Sequence, residues 1–172
     1  MNTARPWGDS FRIEYFWQET LPEVHNCGIG TLHYDARGQR YAVHNRFANC
    51  DRQLGYLLDE ARGLAHVFET RDGEFTCHRY RTDRRVRLAD QLALGTEEGH
   101  GLVPGGDVRF VAYREAGDHD RWLWCVDGRN EPLRFFTWTH HGGIQVVHDL
   151  IRLERDVPPD EDAFAVPREC YG

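Results

Sequence analysis

Strict two-residue alternation constrains this chain more than any other feature. In "FRIEYFW", Phe11, Ile13, Tyr15 and Trp17 share one face and polar residues occupy most of the other. In "RYAVHNRF" the shared face carries Tyr41, Val43, Asn45 and Phe47, and in "LGYLLDE" it carries Leu54, Tyr56, Leu58 and Glu60. A period of two is the signature of a strand with one buried face. "LAHVFETRDGEFTCHRY" reads as a hairpin turned by "RDGE". "DVRFVAYRE", "RWLWCVD", "PLRFFTWT" and "IQVVHDLIRLER" read as further strands, with "DGRNEP" turning one hairpin. Between them, Thr82 to Gly106 is looser and has room for one short helix around "RLADQLAL". Its Gly-rich part, "GTEEGHGLVPGG", lacks the strand-loop-helix setting of a phosphate loop and reads as a mobile loop, a candidate lid. About ten short strands with tight turns imply a single mainly β domain over residues 1–172, an antiparallel sheet curled into a barrel or half-barrel.

Composition excludes several functions. At 172 residues the chain buries roughly 70% of its unfolded surface, enough for a core without staples. The formal charge of -7 argues against nucleic acid. Every basic residue is Arg, so no lysine is available for a Schiff base or a P-loop. There is no run of 18 apolar residues and no apolar signal core at the N-terminus, so the expected setting is cytoplasmic, away from membranes. Five widely spaced cysteines without a CxxC then read as free thiols. His140 and His141 are adjacent and would point to opposite faces of a strand. Without HExxH, His-x-His or CxxC, no metal and no cofactor is expected.

"WCVDGRNEPLRFF" resembles the strand-turn-strand of the LolA/LolB-like superfamily. "EYFW", "GIGTLHYDARGQRYAVHNRF", "LLDEA", "RRVRLADQL" and "DVPPDEDAF" follow in the order found in its cofactor-free, violacein-biosynthesis branch. The tail "FAVPREC" is also similar to ependymin-related proteins. These resemblances imply an open half-barrel with an apolar cavity and little helix, a homodimer, and substrate contacts from particular strands. Carried over residue by residue, they point to Tyr15 (or Ile13 in the other register) and to Phe47. They point also to Asn49, one residue later than the family's Asn because Ala48 intervenes, and to Glu60 if a gap is allowed. The family's late Arg has no counterpart; its place falls near Val147 and His148.

Each candidate also has a plainer reading. Glu60, in phase with Leu54, Tyr56 and Leu58, is either a desolvated acid/base group or a solvated turn residue. His148, in phase with Ile144, Val146 and Leu150, is either a core histidine or an acid/base group or donor standing in for the missing Arg. Asn49 either orients a ligand or makes a turn before Cys50 and Asp51. Tyr15, Trp17, Phe47 and Tyr56 either stack on an aromatic ligand or pack in the core. The leading expectation is a cofactor-independent enzyme of natural-product metabolism that steers the cyclisation or rearrangement of an aromatic or indolic intermediate. Glu60 and His148 would do the chemistry and the rings would hold the substrate. The alternative is a carrier that sequesters an apolar ligand, and a third reading is a dimeric interaction module.

Overall fold

The computed structural model describes residues 7–19, 26–104, 106–114, 121–138 and 145–171. The His140–His141 pair and Ile144 lie outside them. Eleven strands form one antiparallel sheet: β1 (Ser10–Glu19), β2 (Cys27–Asp35), β3 (Arg40–Phe47), β4 (Arg52–Asp59), β5 (Leu64–Arg71), β6 (Glu74–Arg81), β7 (Thr96–Val103), β8 (Gly106–Tyr113), β9 (Arg121–Asp127), β10 (Pro132–Trp138) and β11 (Gln145–Arg155). The order across the sheet is β6-β5-β4-β3-β2-β1-β11-β10-β9-β8-β7. Consecutive strands are neighbours except where β11 returns beside β1 and where the chain passes from β6 to β7, which are the two edges. The half-barrel expectation holds: the sheet is open and strongly curved.

The turns are the expected ones. β5 and β6 meet at Asp72 and Gly73, with φ of 52° and 81°, the left-handed pair of a tight hairpin turn. Between β9 and β10, Asp127 folds its own carboxylate over the turn and accepts the N–H groups of Arg129 (2.8 Å) and Glu131 (2.9 Å).

Alternation sorts the two faces. On the concave side Phe11 pairs with Tyr34 and Ile13 with Leu32, all four buried. Trp7 packs edge-on against Phe11 and Trp124 and is fully buried. The segment joining β6 to β7 contributes Val86, Leu88 and Ala89 to this same core. It contains a 3-10 turn (Leu88–Asp90) and the short helix α1 (Gln91–Leu94), where "RLADQLAL" predicted one. Gln91, also buried, donates to the Val86 carbonyl (2.8 Å) and accepts from Trp124 Nε1 (2.7 Å). The crossing segment is therefore a packed plug at one end of the trough.

Two expectations are corrected here. The Gly-rich part "GTEEGHGLVPGG" is not a lid: most of it is β7, paired with β8, and the looser segment before it is this plug. β7 escaped notice because an edge strand that buries little needs no apolar alternation, and most of its residues are exposed. Nor are all the cysteines free. Cys77 on β6 is bonded to Cys170 in a terminal 3-10 turn (Arg168–Tyr171), with the Cα atoms 5.4 Å apart. Cys27, Cys50 and Cys125 are free thiols. What brings the pair together is a strap, residues 156–171, laid across the convex face. Arg40 binds Glu161 (2.7 Å) and lies over the Phe164 ring, and His44 Nε2 meets the Ala163 carbonyl at 2.8 Å.

Candidate functional site

The open end of the trough is floored by glycine. Tyr15 pairs with Gly30 and Trp17 with Gly28. A Cβ on Gly30 would sit 2.4 Å from the Tyr15 ring, and one on Gly28 would sit 2.9 Å from Trp17 Nε1. The two rings therefore lie down over bare backbone, which an ordinary side chain on β2 would forbid. Above them is a cavity of about 310 Å³. Its walls include Tyr15, Trp17, Phe47 and Tyr56, the four aromatic residues the sequence proposed, together with His148. The opposite wall, where Trp122, Phe135, Thr137 and Trp138 also line the cavity, was not among the proposed site residues. Their strands were visible; that β9 and β10 curl round to face β3 and β4 was not.

The rings are locked by their neighbours. Trp17 meets Phe47 edge-on at 4.8 Å, and Tyr15 meets Phe135 edge-on at 5.7 Å. The His148 imidazole lies flat on Phe135 at 4.0 Å and edge-on to Tyr15 at 4.9 Å. Burial pushes this imidazole down to about 3, against the backbone at Phe135 and Val146, which pulls the other way. His148 is thus a neutral group at physiological pH. Burial likewise raises the Tyr15 phenol well above its ordinary range, Tyr41 adding to it, and burial raises Tyr56.

Polar groups are few. Tyr15 donates its hydroxyl to Asn45 Oδ1 at 2.8 Å. Asn45 lines the cavity, whereas Asn49 sits exposed in the bend after β3. Asn45 brings an amide to the cavity wall, on the face where alternation puts it, and Asn49 brings none. Trp17 Nε1 is walled in with no hydrogen-bond partner among the described residues. Such an orphan is rare in folded proteins and costs about 1–3 kcal/mol. Glu19 and Arg84 also line the cavity; Glu19 accepts from Asn26 (2.7 Å), and the Arg84 guanidinium lies 5.9 Å from the centre of the Tyr56 ring.

Glu60 does not join them. β4 ends at Asp59, and Glu60 occupies the turn, only 7% exposed yet absent from the cavity wall. Its Oε1 accepts the backbone N–H of Val86 at 2.7 Å, in the plug. Both readings of its phase were therefore incomplete. The strand has ended, and the carboxylate is nevertheless buried, as an anchor. No cluster of three or more His, Cys, Asp or Glu side chains able to hold a metal ion occurs among the described residues.

No family model matches the chain, and no curated protein matches it significantly. Solved structures do resemble it. An uncharacterized conserved protein from Thermus thermophilus is 11% identical, with 96% of this chain and 90% of that one covered and a TM-score of 0.55. This likeness shows the shared fold. A DUF1329 family protein from Desulfovibrio piger is 13% identical over 92% and 90% of the two chains, at 0.47. A putative outer membrane lipoprotein-sorting protein domain from Vibrio parahaemolyticus is 10% identical over 92% and 89%, at 0.42. The last two are too distant to argue from.

Proposed function

We propose that this half-barrel binds a flat, apolar small molecule in the ring-lined cavity and carries or sequesters it without chemistry. The observation that carries this reading is that the cavity is walled by aromatic side chains while Glu60, the carboxylate the sequence proposed for proton transfer, is engaged in the plug. His148 is a poor substitute, because a base held near pH 3 is badly matched to work at neutral pH. An apolar cavity of this size with a few convergent polar atoms is the ordinary form of a small-ligand site. The LolA/LolB-like resemblance agrees with a carrier, and the one carboxylate on the cavity wall among the described residues, Glu19, is taken up by the Asn26 amide (2.7 Å). The Cys77–Cys170 disulfide favours an oxidising compartment over the cytoplasmic one expected from composition.

The homodimer stays a proposal. The open edges do not demand it, since β6 carries Glu74, Arg79 and Arg81 and β7 carries Glu97 and Glu98, charges that guard an edge. A second copy would use the exposed convex pair Phe16 and Ile29, neighbours on β1 and β2. Light scattering decides this: a 20.1 kDa species at micromolar concentration removes the dimer.

The binding reading is tested by calorimetry, titrating protein into naphthalene. Saturable binding at one per chain is expected. Val43→Trp, which plants an indole in the cavity, should weaken it at least about tenfold while the fold survives. Undiminished binding by that variant, or no saturable binding by the natural protein, would refute the proposal.

A further inference from the structure

A second cavity, of about 450 Å³, lies on the convex face between the sheet and the strap. Leu57 and Leu64 belong to its floor, and Phe164, Val166 and Tyr171 of the strap roof it. Leu57 pairs with His66, and His66 with Arg79, so these three side chains stand in a row across one face of β4, β5 and β6.

Charge sets Arg79 apart from the other cations of the lining. Arg40 is held by Asp35 and Glu161, each at 2.7 Å, and the Arg62 guanidinium lies 3.5 Å from Asp59. Arg79 has no carboxylate partner among the described residues. One cation is therefore left over, in a chain whose formal charge is -7. His66 feels it. Burial first, and then the Arg79 charge, lower the pKa of this imidazole, and Asp59 raises it by less. The His66 ring is only 8% exposed, yet its nitrogens carry no hydrogen bond from the described residues and are not sealed off from the cavity. A neutral imidazole still offers one N–H. An inorganic anion would use this N–H and the guanidinium and leave the leucines and rings idle.

We infer that this cavity binds a small organic anion, a carboxylate on an apolar body. Arg79 and His66 receive the carboxylate, and Leu57, Phe164 and Tyr171 enclose the body. A guanidinium meets a carboxylate with two parallel hydrogen bonds, which fixes its orientation as well as its charge. The site lies on the opposite face of the sheet from the ring-lined cavity and does not depend on ligand binding there.

Calorimetry with benzoate, benzyl alcohol and inorganic phosphate tests it. The natural protein should bind one benzoate per chain, at least about tenfold more tightly than benzyl alcohol or phosphate. Arg79→Gln should weaken benzoate at least about tenfold. Arg81→Gln removes the same charge from the same face of β6, outside the cavity lining, and should cost less than about threefold. Both arginines are exposed, so both variants should melt within about 2 °C of the natural protein. Benzoate seated in the ring-lined cavity instead would be indifferent to Arg79. No saturable benzoate binding, benzyl alcohol or phosphate binding as tightly, an affinity untouched by Arg79→Gln, or equal losses in the two arginine variants would each overturn the inference.

Discussion

Replacing Glu60 by alanine tests what that residue is for. Its carboxylate receives the Val86 N–H at 2.7 Å, and Val86 is itself only 2% exposed. Deleting the acceptor leaves a buried backbone donor with nothing to bond and no easy route to water. A hydrogen bond to a charged acceptor contributes about 1.5–3 kcal/mol, and the orphaned donor costs a similar amount. We therefore expect Glu60→Ala to destabilise the fold by about 2–3 kcal/mol. For a domain of this size that is roughly 4–12 °C in Tm, at about 2–4 °C per kcal/mol. Glu60→Gln keeps an oxygen at the same place and should lose less, about 1 kcal/mol.

The assay is urea unfolding alongside naphthalene titration of both variants under conditions where each is fully folded. The expected pattern is lost stability with Kd per folded molecule unchanged, since the plug lies at the closed end of the trough. The converse pattern would refute the anchor. If Glu60→Ala unfolds within about 0.5 kcal/mol of the natural protein but binding collapses, the carboxylate faces the ligand and the catalytic reading returns.

Two further perturbations follow. Cys77→Ser opens a covalent loop that joins residues 93 apart, which in the chain-entropy picture removes about 4–5 kcal/mol, and chemical denaturation with and without reductant should show the natural protein losing the same amount. Acidification should destabilise through buried histidines: burial holds His148 near 3 in the folded chain, and burial, then the nearby His44, holds His33 near 4. Both lie below the unfolded value of about 6.5, so the unfolded chain takes up protons first, and the stability is present above that pH and lost as pH falls. From pH 7 to pH 5 the expected loss is about 2 kcal/mol for His148 and less for His33, which sits nearer solvent; flat stability across that window in urea titrations would contradict the burial of both.

What could be read from the sequence was what repeats locally. Phe11, Ile13, Tyr15 and Trp17 alternate because one face of β1 is buried, and Asp72-Gly73 turns a hairpin because glycine and aspartate tolerate positive φ. What could not be read depended on closure over long distances. The Cys77–Cys170 pairing needs a strap that crosses the convex face, and nothing in the cysteine spacing announces it. Asn49 was proposed from the family spacing, whereas register puts Asn45 at the cavity: Asn45 pairs with Gly30, and Gly30 with Tyr15. The alternating glycines of "GIG" were the overlooked signal, since two bare positions in phase opposite two large rings mark where rings lie on the sheet.

The cavity itself follows from chain order. Eleven strands spaced at about 4.8 Å would hold the edges roughly 48 Å apart in a flat sheet. Residues 82–95 must nevertheless join those edges, and part of that length is coiled into a 3-10 turn of three residues and a helix of four. Extended and coiled parts together reach only about 36 Å. The edges must therefore come toward each other, and the segment that ties them is forced across the concave side, which is why it carries Val86, Leu88 and Ala89 inward. A crossing of this kind is about 10 Å wide, whereas β1, ten residues long, runs about 33 Å. One crossing can cover only part of the trough. Filling the remainder would have required large side chains on the β2 floor. Gly28 and Gly30 stand there instead, so the uncovered length stays hollow, and the residues around it are rings.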